Sequence, residues 1–253
     1  MNVLVCVKRV PVTGGSIVLR DDAQALETRH LGFAISPHEE CGVEEAVRLI
    51  EQHGGRSTVL TLGPPEAEEQ LRDAMALGIE RGLLLEVSEE WDAQASAAAI
   101  VAAIQAERAA ATEYDLILFG NESADTGNYQ VGIRVAHALG RPCVTGVKKI
   151  EVAGGRARCE QETADGRDVY DVALPAVLTV KEGLNLPRYP SVPGRLRAKK
   201  KPVERSTPDA RPAALERVRL KLPPGEGRQT EILGRGPEAA PAVVALLRQI
   251  GVV

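Results

Sequence analysis

Residues 114–139 read YDLILFGNESADTGNYQVGIRVAHAL, an apolar strand, a glycine-bearing turn and an amphipathic helix in direct succession. The run Tyr114–Phe119 has the length and composition of a strand buried on both faces. The turn Gly120–Gly127 follows it, and a helix is predicted from Asn128 to Leu139. This strand–turn–helix unit is the building block of α/β folds.

The same unit recurs through the first half of the chain. Ser36 is a plausible N-cap and Pro37 fits the first position of a helix. Strand and helix alternating at this spacing require right-handed crossovers and a parallel sheet. The predicted fold class is therefore α/β, a Rossmann-like domain built on a parallel sheet. Further strands are predicted over Met1–Val7, Ser57–Leu62 and Gly82–Val87, and further helices over His38–His53, Glu66–Leu77 and from Asp92 to about Ala111.

After Gly140 the pattern changes. Three segments joined by Gly154-Gly155 and Asp165-Gly166 turns are predicted to form an antiparallel extension, followed by a fourth strand. These segments are Val144–Val152, Arg156–Glu162, Arg167–Leu174 and Ala176–Val180.

The last part of the chain is predicted to be an arm. The proline-rich run from Leu184 to Gly194 is not expected to form a regular helix. Residues 202–230 carry many Pro, Arg and Glu residues and resemble an extended arm without a core. A final helix over Pro237–Ile250 carries one apolar stripe, which docks either on another protein or back on its own domain. We therefore predict an α/β domain over residues 1–183 and a partner-docking loop and C-terminal arm over residues 184–253.

Bulk composition limits the class of protein. The 253 residues carry a formal net charge of -4, which argues against a nucleic-acid-binding protein. The four cysteines form no C-x-x-C pair and no zinc pattern, so buried free thiols in a reducing compartment are expected. The sequence shows no signal peptide and no apolar run long enough to span a bilayer. We expect a soluble intracellular protein that does not insert into the membrane; the bacterial cytoplasm is our prediction, and a mitochondrial matrix after removal of a transit peptide also fits.

The turn Gly120–Gly132 is the most informative candidate site. Ligands of open parallel sheets bind beyond the carboxyl ends of the strands, where the turns 8–16, 63–66 and 120–132 are predicted to lie. Free backbone N–H groups from Asn128 to Gly132, at the positive end of the helix dipole, would hold a phosphate without any lysine. Asp125, Asn128 and Gln130 would then bond ribose or base edges. The alternative is an ordinary turn in which Asp125, Thr126 or Asn128 caps the helix.

Several motifs together resemble the β subunit of electron transfer flavoproteins, and the resemblance spans nearly the whole chain. The turn Gly120–Gly132 matches that family without gaps. The segment NLPRYPSVP at 185–193, followed by AKKK at 198–201, is its most specific part. The other matching stretches are VCVKRVP at 5–11, SP at 36–37, VEEAVRL at 43–49, LGP at 62–64, RDAMALG at 72–78 and LPAV at 174–177.

The resemblance implies an adenine-nucleotide-binding domain in an αβ heterodimer. The α subunit of that family carries the redox FAD, and the β subunit holds AMP or, in bifurcating members, a second FAD. Because Tyr129 is bulky where bifurcating relatives often have a small residue, AMP is favoured. The implied cofactor-binding residues are Val7 and Lys8 after the first strand, Leu62 and Gly63 after the second, and Asp125, Asn128, Tyr129, Gln130 and Val131 in the fourth turn.

The resemblance also implies surfaces for partners. Glu162 matches a glutamate that pairs with an arginine of the flavin domain, although a solvated strand residue is the alternative. Val192 matches the anchor of a loop that docks on acyl-CoA dehydrogenases, where leucine is usual. His38 and Thr13 match positions beside the flavin. The implied partner-docking residues are Glu162, Arg188, Tyr189, Val192 and Pro193, and the basic run 199–201 is either part of that surface or merely solvated.

The implied function is electron transfer through FAD, from acyl-CoA or related dehydrogenases to a membrane quinone oxidoreductase or another acceptor. This function needs no catalytic base and no metal, because the flavin supplies the chemistry. We therefore expect an electron carrier subunit and not a stand-alone enzyme. The remote alternative is an ATP-dependent enzyme of similar fold. The turn TGGS at 13–16 faintly resembles the phosphate loop of such enzymes but lacks its aspartate.

Overall fold

The computed structural model describes residues 1–14, 17–209, 213–223 and 231–252. Short 3₁₀ turns at Pro65–Ala67 and Gly236–Ala239 precede two of the helices. In chain order the elements are β1 (Asn2–Cys6), β2 (Val10–Pro11), β3 (Phe33–Ala34), α1 (Pro37–His53), β4 (Arg56–Gly63), α2 (Glu68–Leu77), β5 (Arg81–Glu86), α3 (Ala93–Ala109), β6 (Leu116–Gly120), α4 (Val131–Leu139), β7 (Cys143–Ala153), β8 (Arg156–Thr163), β9 (Gly166–Ala173), β10 (Ala176–Val180), α5 (Val192–Ala198), β11 (Val203–Ser206) and α6 (Ala240–Gln249).

Among the described residues, nine strands form one sheet in the order β11-β5-β4-β1-β6-β10-β7-β8-β9. The strands from β11 to β7 run parallel, which confirms the predicted α/β class. β1 lies between β4 and β6, so successive strands are added first on one side of β1 and then on the other. This reversal is the switch point at which ligands bind in open α/β sheets.

Helices cover both faces of the sheet. α1 packs on β1 and β6, and α2 packs on β4 and β5, over a core of aliphatic side chains. α3 and α4 pack against each other on the opposite face, over a second aliphatic core. Val, Leu, Ile and Ala supply nearly all of this buried surface, in line with the chain's 3% aromatic content.

The predicted antiparallel extension is present. β7 runs parallel to β10 in the main sheet and continues as an antiparallel pair with β8. β9 then pairs antiparallel with β8 and ends the sheet. The two hairpin turns contain Gly154, Gly155 and Gly166, all with positive φ.

Two sequence predictions about the second half of the chain were wrong in part: the run Leu184–Gly194 is helical only from Val192, and one segment of the predicted arm is a strand. Val192–Ala198 forms the helix α5, because Ser191 caps it through Gly194 N–H (3.1 Å) and Pro193 lies in the first turn, where proline is tolerated. Val203–Ser206 forms β11 beside β5, so this part of the predicted arm belongs to the main sheet. Residues 210–212 and 224–230 of the predicted arm, and Gly15 and Ser16 of the first turn, lie outside the described residues.

The cysteines agree with the prediction of buried free thiols at three of their four positions. Each of the four cysteines is free, and three of them are buried. Burial raises the pKa of the Cys159 thiol to about 12 and also raises the pKa of Cys143. Such thiols are almost wholly protonated near neutral pH and are poor nucleophiles. Within the described ranges, no helix combines the length and the hydropathy needed to cross a bilayer.

Candidate functional site

The turns predicted to carry the site lie at the carboxyl edge of the sheet. β1 ends at Cys6 opposite Leu60, β4 continues to Gly63, and Val7 N–H donates to Leu60 O beyond the end of β1 (2.9 Å). Gly63 O accepts from Val87 N–H (3.0 Å), which ties the end of β4 to the turn after β5. β6 pairs with β1 on the other side and leads into the turn that begins at Gly120. The first and fourth turns therefore face each other across one edge.

Four charged side chains join these turns. Lys8 Nζ lies 2.6 Å from Glu90 Oε1 and 2.6 Å from Asp125 Oδ2, and it donates to Thr126 Oγ1 at 3.4 Å. Arg217, from the C-terminal arm, contacts Glu90 Oε2 at 2.7 Å. This charge cluster connects the turns after β1, β5 and β6 with the arm. It places the predicted residues Lys8 and Asp125 in direct contact.

The charges in the cluster stabilise one another. Burial lowers the pKa of Lys8, but attraction to Glu90 and Asp125 outweighs burial and leaves it raised. Burial likewise raises the pKa of Asp125 and Glu90, and the Lys8 ammonium overcomes this and leaves both lowered. The stability that these pairs add is therefore complete between the ordinary carboxyl and lysine pKa values, about 4 to 10. It is lost as the pH falls through the lowered carboxyl values or rises through the raised value of Lys8.

Lys8→Met is expected to reduce the free energy of unfolding by about 1–2 kcal/mol near pH 7, because it removes the cation that Asp125 and Glu90 share and leaves Asp125 without its ion pair, while Arg217 still pairs with Glu90. This figure allows for solvent screening, since Glu90 is more than a third exposed. The loss should shrink as the pH falls below about 4, through the lowered pKa values of Asp125 and Glu90. Urea unfolding at a series of pH values measures it.

Lys149→Met is the matched control. Lys149 also lies between two carboxylates, Glu151 (2.9 Å) and Glu160 (3.2 Å), but it is half exposed on the antiparallel extension. Its replacement should leave the stability nearly unchanged, because solvent screens exposed ion pairs. Equal losses in the two variants would contradict the special role of the charge cluster.

The turn before α4 has the backbone shape of an anion site. Gly127 (φ 54°) and Tyr129 (φ 56°) both adopt the left-handed conformation. The backbone N–H groups of residues 128–133 donate no hydrogen bond to the described part of the chain. The side-chain oxygen of Gln130 accepts from Arg134 Nε at 3.1 Å, and the backbone N–H of Gln130 is one of these free donors. Free donors at the start of a nine-residue helix suit a phosphate.

The helix α4 begins later than predicted. Its first residue is Val131, and Gln130 is the N-cap, so Asn128 and Tyr129 belong to the turn and not to the helix. The left-handed conformation of Tyr129 is incompatible with a helix start at Asn128. Gly132 lets α4 approach the sheet, because a Cβ there would lie 2.7 Å from Thr179 Cγ2.

The start of α1 also lies at this site, and the sequence reasoning missed its acidic residue. Glu39 is buried, and a Cβ on Gly120 would lie 2.6 Å from its Cγ. Burial raises the pKa of Glu39 to about 7, against hydrogen bonds from the backbone of Lys8 and Ser36. Ser36 and Glu39 form a capping box at the start of α1, in which Ser36 N–H donates to Glu39 Oε2 (3.2 Å). The S-x-x-E spacing of a capping box is the signal that would have identified Glu39.

His38 lies beside the same turn. Glu182 N–H donates to His38 Nδ1 (2.7 Å), so the ring hydrogen is on Nε2, which lies 3.2 Å from Glu122 Oε1. The imidazole therefore links the turns after β6 and β10. Thr13 is exposed on the loop after β2. Among the described residues, no group of His, Cys, Asp and Glu is arranged to hold a metal ion.

The predicted partner-docking residues fall in two places. Glu162 is on β8, half exposed and paired with Lys148 (2.8 Å), in the antiparallel extension. The other four lie near α5, which packs on α2 over the opposite half of the sheet. Tyr189 and Val192 are 96% and 72% exposed, and Pro193 is exposed beside them. The structure therefore brings Tyr189, Val192 and Pro193 together but does not bring Glu162 to them.

Two contacts fix α5 against α2. Gly194 allows close approach, because a Cβ there would lie 2.5 Å from the carbonyl oxygen of Ala76. Lys201 Nζ donates to the carbonyls of Met75 (3.0 Å), Gly78 (3.3 Å) and Ile79 (2.6 Å) at the end of α2. Of the basic run 199–201, Lys201 is thus engaged within the chain, whereas Lys199 and Lys200 are exposed.

Comparison with known proteins gives consistent matches. The family model described as electron transfer flavoprotein domain matches residues 25–211. A Bacillus subtilis protein named electron transfer flavoprotein subunit beta is 34% identical over 258 residues, covering 98% of each chain. Proteins of the same name from Syntrophomonas wolfei and Clostridium acetobutylicum are 36% and 31% identical, covering 92% and 98% of this chain and 90% and 98% of their own lengths.

Proposed function

The chain belongs to the electron transfer flavoprotein family as a β subunit, and from this premise we propose that it is the nucleotide-binding half of a heterodimeric electron carrier. In this proposal an α subunit contributes the redox FAD. Electrons pass from dehydrogenases, acyl-CoA dehydrogenases first among them, to a membrane quinone oxidoreductase or another acceptor. The carrier works in the bacterial cytoplasm, which the free cysteines support.

The observation that carries the proposal is the set of free backbone donors at residues 128–133, beside the charge cluster of Lys8, Glu90, Asp125 and Arg217. A nucleotide phosphate at the start of α4 would receive N–H hydrogen bonds and the favourable end of the helix dipole. The ends of β1 and β4, at Val7 and Gly63, then border the adenine. Asp125 is already oriented by Lys8 and is available to the ribose.

AMP is the proposed nucleotide, with a second FAD as the bifurcating alternative. Tyr129 projects from the turn in a left-handed conformation and is 54% exposed. The Glu122 carboxylate accepts a hydrogen bond from the Tyr129 hydroxyl and raises the pKa of that hydroxyl. A bulky side chain held at the mouth of the turn leaves less room for a ligand larger than AMP. The second half of a dinucleotide would have to pass this ring.

The remaining parts of the chain serve partners in this proposal. Bound FAD supplies the electron chemistry, so the chain needs no acid, base or nucleophile of its own. Tyr189 and the first two residues of α5, Val192 and Pro193, form an exposed surface, and α5 is held in place on α2. An exposed surface on a fixed helix suits recognition of a dehydrogenase. α6 has no side chain buried by the described part of the chain, which supports its docking on the α subunit.

Extraction of the bound ligand tests the nucleotide assignment. The chain, purified without an α subunit, is denatured and its released small molecules are separated beside AMP and FAD standards. We expect AMP in nearly equimolar amount and no FAD. Release of FAD would replace the AMP assignment with the bifurcating alternative. Release of neither, together with no heat-stability shift on adding AMP, would contradict a nucleotide site in this chain.

A further inference from the structure

Glu44 is a buried carboxylate that faces the docking loop, residues 185–192. Its side chain is only 3% exposed, and it lies in the middle of α1. Its oxygens accept from Arg188 N–H (3.1 Å), Nε (2.9 Å) and Nη2 (3.0 Å), and from Arg48 Nε (3.1 Å). A buried charge persists only where such donors surround it. Three of the four donors come from a single residue of the loop.

Glu51 completes the contact from two turns further along α1. Arg188 Nη1 and Nη2 donate to its two carboxylate oxygens at 2.6 and 2.9 Å. The guanidinium therefore forms a planar, bidentate pair with each of two carboxylates, the geometry in which arginine is most strongly oriented. We call Glu44, Glu51 and Arg188 the loop clamp. It uses both the backbone and the side chain of Arg188.

Other contacts hold the two ends of the loop. At its start, Asn185 Nδ2 donates to Glu45 Oε2 (2.9 Å) and to Cys41 O (3.1 Å). At its end, Ser191 caps α5, which Gly194 holds against α2. Between these anchors the apolar side chains of Leu186, Tyr189 and Val192 are more than 70% exposed. A rigid backbone thus presents apolar groups to solvent.

We propose that Glu44 is a positioning residue for partner recognition, acting through Arg188 to hold Tyr189 and Val192 in the arrangement that a dehydrogenase binds. This inference rests on the docking role in the proposed function. The docking role of the loop then depends on Glu44, a carboxylate that is buried within this chain and out of reach of a partner. A loop held in its bound shape before binding loses less conformational entropy on docking, so loosening the clamp should weaken docking.

The test uses the reconstituted αβ heterodimer and an acyl-CoA dehydrogenase as electron donor. Glu44→Gln keeps the size of the side chain but removes its charge and one acceptor oxygen. We expect the KM of the dehydrogenase reaction for the heterodimer to rise about three- to tenfold with kcat unchanged. Without dehydrogenase, hydrogen exchange at residues 186–192 should accelerate, while FAD content stays at the wild-type level.

Two variants make the outcome decisive. Glu40→Gln is the matched control, because Glu40 is exposed one turn earlier on α1 and should leave both measurements unchanged. Val192→Ala tests the loop itself and should raise KM. A raised KM for Val192→Ala with no change for Glu44→Gln would overturn the clamp and keep the docking role. Unchanged KM in both would overturn the docking role and the clamp with it.

Glu51→Gln covers the case in which Glu44→Gln fails to fold. Glu51 is exposed, so its replacement should be tolerated, and it contacts the same guanidinium. It should raise KM and loop exchange in the same direction by a smaller factor. Wild-type exchange at residues 186–192 in a folded Glu51→Gln heterodimer would overturn the proposal.

Discussion

Gln130→Pro is expected to lower the affinity of the chain for AMP by about a hundredfold or more. Proline removes the N–H of residue 130, and it fixes φ near -65°, whereas Gln130 has φ -116°. It also disfavours the left-handed conformation of Tyr129, the preceding residue, whose φ is 56°. The neighbouring N–H groups are then turned away from the phosphate. Two lost charge-assisted hydrogen bonds, at about 1.5–3 kcal/mol each, account for a factor of this size.

Titration calorimetry on nucleotide-free protein measures this effect, with circular dichroism as the check on folding. Gln130→Ala is the matched control, because it retains the N–H and loses only the contact with Arg134 Nε. Its affinity should stay within about threefold of wild type. Wild-type affinity in a folded Gln130→Pro variant would place the nucleotide elsewhere in the chain.

The second large effect concerns assembly with an α subunit. Val244→Asp is expected to abolish the heterodimer. Val243 and Val244 are 41% and 42% exposed on α6, which packs chiefly on the turn that precedes it. Burying such side chains contributes roughly 1.5–3 kcal/mol each, whereas burying an unpaired carboxylate opposes binding by more than that. One substitution therefore replaces a favourable contact with an unfavourable one.

Co-expression with a flavin-carrying α subunit followed by gel filtration measures assembly. The wild-type chain should elute as an equimolar complex with redox-active FAD, and the chain alone should show no bleachable flavin absorbance. Gln249→Asp introduces the same carboxylate elsewhere on α6 and should still assemble. An intact complex with Val244→Asp would exclude α6 from the interface, and redox-active FAD in the chain alone would contradict the two-subunit reading.

The sequence was sufficient to predict the parallel sheet because its strands are continuous apolar runs and each is followed by a helix of clear periodicity. β11 was missed for the opposite reason, since Val203–Ser206 is short and mostly polar. Its place beside β5 depends on contacts made only in the fold, such as Arg205 with Glu86 (3.3 Å) and Glu204 with Arg81 (3.3 Å). No local pattern encodes such pairs.

Only some residues of the candidate site could be predicted from the sequence, for a similar reason. Lys8, Asp125 and the donors after Asn128 follow from the rule that ligands bind beyond the carboxyl ends of parallel strands. Glu90 and Arg217 joined the site only through tertiary contacts with Lys8 and with each other. The start of α4 was placed too early because the backbone of Tyr129, a residue that ordinarily avoids positive φ, cannot be inferred from its type.

The central position of β1 also governs the order in which the chain can fold as it is synthesised. β1 precedes the other strands of the sheet in the chain, yet Leu4 pairs with Thr58 of β4 on one side and with Ile117 of β6 on the other. β1 therefore keeps one unpaired edge until β6 has been synthesised, and only pieces that extend to Gly120 or beyond can close it. AMP bound as proposed would not assist any earlier step, because the donors proposed for its phosphate follow Gly120 in the chain. It would act by mass action on a sheet whose centre is already complete.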